Sequence, residues 1–93
     1  PAYVFIGEKE YAHLCRVTDN LYHGFASRLR ETYTGLTKHD IETCCLLKAG
    51  LTNRELSIIF NNTPAAITKS KNRIKKRIGL EADVNLDTFL QDF

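Results

Sequence analysis

The sequence predicts an all-α fold in one small domain, and three observations indicate it. Thr37, Thr52 and Thr63 stand where helix N-caps belong, each directly before a stretch whose apolar residues have helical spacing. Gly50 and Gly79 follow two of these stretches and can adopt the left-handed conformation that ends a helix. A chain of 93 residues with 43% hydrophobic residues and two prolines has the composition of a single globular domain.

The N-terminal residues carry the weakest pattern. The apolar run at 3–6 fits either a strand or the end of an upstream element, and residues 8–15 are weakly helical. Because the chain begins at Pro1 without methionine, we expect it to be a piece of a longer protein. We divide it into an N-terminal segment, 1–17, that links to a missing upstream domain, and a domain with a leading helix, 18–93.

The leading helix is predicted to run from a cap at Thr18 or Asp19 to about Thr32, although Gly24 weakens it slightly. Its apolar side chains recur every four residues on one face: Leu21, Phe25 and Leu29. This face is either part of the core or a contact with a second copy or another domain.

The next helix begins at Thr37, where Asp40 completes a variant of the capping box, and it ends at Gly50. It is apolar on most sides, which predicts that it is buried. Cys44 and Cys45 lie within it and point about 100° apart. Because a metal site needs several converging ligands, they are interpreted as core thiols, and no metal site is expected.

Two further helices follow, separated by a turn at Asn61-Asn62. The first opens with a full capping box, Thr52 with Glu55. The second opens at Thr63-Pro64 and carries one narrow apolar stripe: Ile67, Ile74 and Ile78. A short amphipathic helix at 86–90 is predicted to cover part of the core.

The formal net charge of +2 hides a segregation along the chain. Residues 56–80 contain six basic residues and no acid, and residues 81–93 contain four acids and no base. The basic residues are Lys69, Lys71, Arg73, Lys75, Lys76 and Arg77. A basic stripe along one helix is typical of a nucleic-acid-binding surface.

Two short helices joined by a turn of about three residues, the second of them basic, indicate a helix-turn-helix arrangement. In that arrangement the first helix braces the second, and the second, at about 64–78, enters the major groove of DNA. At 100° per residue, the side opposite the isoleucines carries Ala65, Lys69, Asn72 and Lys76, which we assign to reading bases. Small Ala65 allows close approach, and lysine and asparagine side chains recognise guanine and adenine.

The flanks of this helix are assigned mainly to phosphates. Thr68 and Lys75 lie on one side of the outward face, and Arg73 lies on the other. Thr63 marks a helix N-terminus, which favours a phosphate. Lys71 lies near the isoleucine stripe, so we expect its stem to pack on the domain edge while its ammonium reaches a phosphate or solvent.

Residues 36–80 resemble the LuxR/NarL-type C-terminal helix-turn-helix effector domain. The matching stretches, in order, are Leu36-Thr37, Leu46-Leu47, Gly50-Leu51-Thr52-Asn53-Arg54-Glu55-Leu56, Ile67, Ile74 and Arg77-Ile78-Gly79-Leu80. Together with the helix that ends at 29–33, they are similar to the C-terminal module of Bacteroidetes transcriptional regulators. In those proteins the module follows a sensor or a helical-repeat region.

The resemblance implies a four-helix domain of the winged-helix-like superfamily, here with one or two extra N-terminal helices, that binds promoter DNA as a homodimer. By position, it implies base contacts at Thr68, Lys69 and Asn72. It implies backbone-phosphate contacts near Thr52, Asn53, Arg54, Lys71 and Lys75.

Some residues depart from the family pattern. Ser70 replaces a common histidine in the recognition helix, and Ser57 replaces a common alanine in the bracing helix. The run 69–73 is also similar to sigma factor region four, another promoter-reading helix-turn-helix. The alternative function is therefore a sigma-region-four-like or protein-interaction module that docks on RNA polymerase or a partner regulator. The ending Gly79-Leu80 favours the LuxR-type interpretation.

Other classes of protein are disfavoured. The sequence has no Gly-rich phosphate loop and no Ser/His/Asp order, so we expect neither an enzyme nor a cofactor. It has no signal peptide and no apolar run near ~18 residues, which predicts a cytoplasmic location and no membrane contact by this segment. The expected partners are double-stranded DNA, a second copy on DNA and an upstream sensor domain, with RNA polymerase as a further candidate.

Overall fold

The computed structural model describes residues 8–93, which form six α-helices and no β-strand. The all-α prediction is therefore confirmed for this part of the chain, whereas the undecided run at 3–6 lies outside it. Two helices precede residue 36 and four follow it. The helices are α1 (Glu8–Leu21), α2 (Phe25–Thr32), α3 (Lys38–Lys48), α4 (Asn53–Ile59), α5 (Pro64–Ile78) and α6 (Leu86–Asp92).

The predicted leading helix is in fact two helices. The helix α1 continues through position 18 to Leu21, and a turn at 22–24 separates it from α2. His23 and Gly24 both adopt positive φ in this turn, at 56° and 75°. The prediction of one helix from 18 or 19 to 32 is wrong because two consecutive left-handed residues break the helical path. The proposed boundary between 17 and 18 lies inside α1.

Asp19 lies in α1 but caps the start of the next helix, α2. Its Oδ1 accepts hydrogen bonds from the backbone N–H groups of Ala26 (2.7 Å) and Ser27 (3.1 Å), which are free donors in the first turn of α2. Burial opposes ionisation of Asp19, but the hydrogen bonds from Ser27 and Ala26 outweigh it and lower the pKa of the carboxyl. The break also rotates Leu21 out of the core face: Leu21 is 65% exposed, whereas Phe25 and Leu29 are fully buried.

The helix α3 is the centre of the fold, in contact with α1, α2 and α6. Its capping box forms as predicted: Thr37 Oγ1 accepts from Asp40 N–H, and the Asp40 carboxylate accepts from Thr37 N–H. Seven of its eleven residues are buried, Cys44 and Cys45 among them. The prediction of a buried helix with core thiols is thus confirmed.

The helices α4 and α5 pack against each other and are joined by four residues, 60–63. Thr52 and Glu55 form the predicted capping box of α4. Asn61 adopts a φ of 51°, so the turn uses the left-handed conformation that asparagine tolerates. Thr63 Oγ1 caps α5 by accepting from Ala66 N–H.

The short helix α6 covers the core as predicted, because Leu86 and Leu90 are buried. It also shares caps with α3. Lys48 Nζ donates to the carbonyls of Leu90 (2.9 Å) and Gln91 (2.8 Å) at the end of α6. In return, Gln91 Nε2 donates to the carbonyls of Leu47 (3.1 Å) and Lys48 (3.2 Å) at the end of α3.

None of the helices within 8–93 is long and apolar enough to cross a membrane.

Candidate nucleic-acid interface

The basic helix α5 has one anchored side and one open side. Ile67 and Ile74 are 2% and 0% exposed and join the hydrophobic core, with Ile78 packed at its edge. Pro64 occupies the first turn, and Gly79 ends the helix at a φ of 92°. The apolar stripe thus fixes the rotation of α5, which in turn determines the side chains that face solvent.

All five residues assigned to base reading lie on the exposed side of α5: Ala65, Thr68, Lys69, Asn72 and Lys76. The side chains of Lys69, Asn72 and Lys76 have no hydrogen bond or ion pair with any part of the chain that the structure describes. Thr68 Oγ1 donates to the Pro64 carbonyl one turn earlier, at 3.2 Å. The outward placement predicted from 100° per residue is therefore correct.

Lys71 is held within the protein. Its Nζ donates to Asn53 Oδ1 at 2.6 Å and lies 2.8 Å from Asp87 Oδ1, with 15% of the side chain exposed. The ammonium was expected to reach a phosphate or solvent; it does not lie in solvent, and the contact with a phosphate stays a prediction. Two oxygens from α4 and α6 take the place of solvent, and both lie far from Lys71 in sequence.

Lys75 is also held, because its Nζ donates to the Ala82 carbonyl at 2.6 Å. The segment 82–87 therefore runs along one flank of α5. Between them lies a shallow pocket of about 170 Å³, lined on the α5 side by Thr68, Lys71, Asn72 and Lys75 and on the other by residues that include Asn53 and Asp87. The acidic C-terminal segment, residues 81–93, thus contacts the basic helix α5 at this flank.

On the opposite flank, two arginines of α5 converge on Asp40 of α3. Arg77 Nη1 donates to Asp40 Oδ2, and Arg73 Nη2 lies 3.6 Å from Oδ1. Asp40 is fully buried, which by itself would raise the pKa of its carboxyl. The hydrogen bond from Thr37 N–H and the guanidinium of Arg77 outweigh this effect and hold the pKa below its usual value. This cluster fastens the C-terminal half of α5 to the start of α3.

The remaining residues assigned to phosphates lie at the starts of α4 and α5. Arg54 is exposed, and its guanidinium has no partner among the described residues. The hydroxyls of Thr52 and Thr63 already accept capping hydrogen bonds, which leaves each free to donate its own proton. Asn53 accepts from Lys71 through Oδ1, so its amide nitrogen keeps two hydrogens to donate.

The six cations of α5 thus fall into two groups. Lys71, Arg73, Lys75 and Arg77 bind oxygens of neighbouring elements, whereas Lys69 and Lys76 bind nothing in 8–93. Sequence reasoning missed Asp40 and Asp87 as partners. Asp87 follows Lys71 by sixteen residues, so no helical spacing links them. The only signal for this pair was the opposite charge of the basic residues 56–80 and the acidic residues 81–93.

Within 8–93, no group of three or more His, Cys, Asp and Glu side chains is arranged to hold a metal ion. Comparison with protein-family models, with curated proteins and with solved structures finds no match for the chain.

Proposed function

We propose that the chain is a sequence-specific DNA-binding domain of a bacterial transcriptional regulator, with α4 and α5 as a helix-turn-helix of the LuxR type. The observation that carries the proposal is the outward side of α5. There Lys69, Asn72 and Lys76 are exposed and lack partners within 8–93, although most polar side chains around them are bonded.

The dimensions and chemistry of this side suit the major groove. The groove is about 12 Å wide and admits one α-helix. Ala65 at the start of α5 allows the backbone to come close, and an asparagine amide can bond both N6 and N7 of adenine. Ile67 and Ile74 hold the helix rigidly on the core, so these side chains would be presented in a fixed orientation.

The residues beside this face are suited to phosphates. Arg54, Thr63 and the amide nitrogen of Asn53 carry donors that the fold does not use. Lys71 and Lys75 would have to leave or share their intramolecular oxygens to bind a phosphate. Arg73 lies against Asp40 and would contribute charge from a distance. A homodimer on two half-sites would double these contacts.

A second candidate is a module that docks on RNA polymerase or a partner regulator. It is favoured by Ile58, which is 59% exposed on α4 and stands one turn after exposed Arg54. An apolar side chain beside an unpartnered cation is common at protein interfaces, where arginine is enriched.

Selection of bound sequences from random duplex DNA, followed by a salt titration on the best duplex, tests the proposal. We expect a palindromic or direct-repeat consensus. If five or six phosphates are contacted, log affinity should fall with log salt at a slope of roughly −5. A module that only docks on protein would yield no consensus and no steep slope on any duplex, and this result would contradict the proposal.

A further inference from the structure

The segment that joins α5 to the first turn of α6, residues 81–87, contains three acids and no base. The acids are Glu81, Asp83 and Asp87. The fold holds this segment at two points. Lys75 Nζ donates to the Ala82 carbonyl at 2.6 Å, and Leu86 is buried in the core. The segment is therefore fixed beside the basic helix α5.

Asp87 is the acid of this segment that contacts α5. Its Oδ1 lies 2.8 Å from Lys71 Nζ, and 43% of the Asp87 side chain is exposed. The Oδ1 atom itself is buried and has no hydrogen-bond partner within 8–93, so the ion pair with Lys71 is what holds it. The side chains of Glu81 and Asp83 are exposed and have no hydrogen bond or ion pair with the described chain. An ion pair this open to water contributes little to stability, so an outside anion can replace the carboxylate.

Lys71 can exchange one partner and keep the other. Its ammonium has three hydrogens to donate. One is donated to Asn53 Oδ1 at 2.6 Å, which holds Nζ against the start of α4. A DNA phosphate carries one negative charge, as a carboxylate does, and its oxygens accept from an ammonium in the same way. A phosphate can therefore take the place of Asp87 while Asn53 keeps Lys71 in position.

The ion pair lies beside the face assigned to base reading. Lys71 and Asn72 are neighbours in α5, and together with Asp87 they line the pocket of about 170 Å³. When a recognition helix lies in the major groove, its flanks face the phosphates along the edges of the groove. A duplex with a base at Asn72 would therefore bring a phosphate toward the Asp87 carboxylate, and the two negative charges would repel each other.

We propose that Asp87 is an internal competitor for DNA phosphate, which occupies on Lys71 the place that a phosphate takes in the complex. The domain then binds every duplex more weakly than it would without this contact. Because phosphates are the same in every sequence, the competition lowers affinity without changing sequence preference. This inference rests on the proposed DNA-binding function and adds an autoinhibitory contact to it.

The experiment compares Asp87→Asn with the parent chain by fluorescence anisotropy, on a duplex obtained by selection and on an unrelated duplex. We expect Asp87→Asn to bind both duplexes about two- to fivefold more tightly, the range that corresponds to an exposed ion pair. The salt slope should become steeper by up to about one, since Lys71 gains a phosphate. Asp83→Asn is the matched control, because it removes the same charge from the same segment without a contact to α5.

A second background tests whether the effect acts through Lys71. In a Lys71→Ala chain, Asp87→Asn should change affinity no more than Asp83→Asn does. Circular dichroism checks that each variant is folded, and Asp87→Ser serves if Asp87→Asn is not. If neither folds, the carboxyl carbon resonance of Asp87 in the unaltered chain decides alone. It should shift when the selected duplex is added, as the carboxylate leaves Lys71.

The outcomes separate this inference from the function on which it rests. If the parent binds a selected duplex but Asp87→Asn binds it no more tightly, the internal competition is refuted and DNA binding stands. Equal gains for Asp87→Asn and Asp83→Asn would also overturn it, because general repulsion would then explain both. An Asp87 resonance that does not move on DNA would do the same. If neither parent nor variants bind any duplex, the proposed function fails and this inference fails with it.

Discussion

The helices α3 and α5 both begin at a capping threonine, yet they use their side chains in opposite ways. Seven of eleven residues are buried in α3, against two of fifteen in α5. A helix surrounded on most sides must satisfy its polar groups within the protein. A helix anchored along one stripe leaves its other side chains available to solvent or to a partner.

The polar residues of α3 are bonded within the protein. Thr43 Oγ1 donates to the His39 carbonyl at 2.9 Å, and Glu42 lies 3.4 Å from His39 Nδ1. Burial raises the pKa of Glu42, although His39 partly offsets the effect. Along the outward side of α5, by contrast, Lys69 and Lys76 have no partner within the described chain. The two helices thus differ in how much of their side-chain hydrogen-bonding capacity the fold uses.

The largest expected effect is at the anchored stripe of α5. Ile74→Ala should lower the free energy of unfolding by about 2–5 kcal/mol, because it opens a cavity where the isoleucine is fully buried. Urea denaturation measures the change. Lys69→Ala on the same helix is the control and should stay within about 0.5 kcal/mol of the parent. Equal stabilities for the two variants would mean that α5 has no anchored side.

A second test concerns the contact that joins the two helices. Asp40→Asn should lower the free energy of unfolding at pH 7 by about 1.5–3 kcal/mol, since a hydrogen-bonded carboxylate is lost. Because the pKa of Asp40 is lowered in the folded state, its stabilising effect is present above the usual carboxyl pKa. The effect is lost as the pH falls through the folded pKa.

The stability difference between parent and Asp40→Asn should therefore shrink in acid, which urea denaturation between pH 7 and pH 2 would measure. Asp83→Asn removes an exposed carboxylate and serves as the control. A difference that stays constant down to the lowest pH would contradict the role assigned to the Asp40 charge.

The outward side of α5 should affect binding rather than stability. Lys69→Ala and Asn72→Ala should each weaken binding to a selected duplex by about 1–3 kcal/mol and relax its sequence preference. Fluorescence anisotropy with matched and mismatched duplexes measures both effects. Lys9→Ala removes a positive charge from an exposed position on α1 and should weaken binding less. Variants that bind as tightly as the parent would count against base reading.

The smallest expected effect belongs to Lys75. If its ammonium moves from the Ala82 carbonyl to a phosphate, Lys75→Ala should weaken binding to all duplexes alike and reduce the salt slope by about one. Salt titrations of parent and variant measure the slope. An unchanged slope would mean that Lys75 stays bonded within the domain and does not contact a phosphate.

Signals that are local in sequence predicted most of the fold. The caps at Thr37, Thr52 and Thr63, the helix ends at Gly50 and Gly79, and the isoleucine stripe of α5 each involve residues that are close in sequence or related by the helical repeat. Because the stripe fixes the rotation of α5, the exposed members of the candidate interface followed from 100° per residue.

Features that depend on tertiary contacts escaped prediction. The local pattern predicts a helix start at Thr18 or Asp19, whereas Asp19 lies inside α1 and caps α2 across the turn at 22–24. The oxygens that hold Lys71 come from α4 and α6. No local pattern indicates such pairs, because they form only when the helices pack.

The shared caps of α3 and α6 have a consequence for dynamics. A helix of seven residues is too short to persist alone in water, where about 12–15 residues are needed. Since Lys48 and Gln91 satisfy each other's helix ends, α6 cannot fray without exposing carbonyls of α3. The amide hydrogens of α6 should therefore exchange with deuterium as slowly as those of α3, through opening of the whole domain.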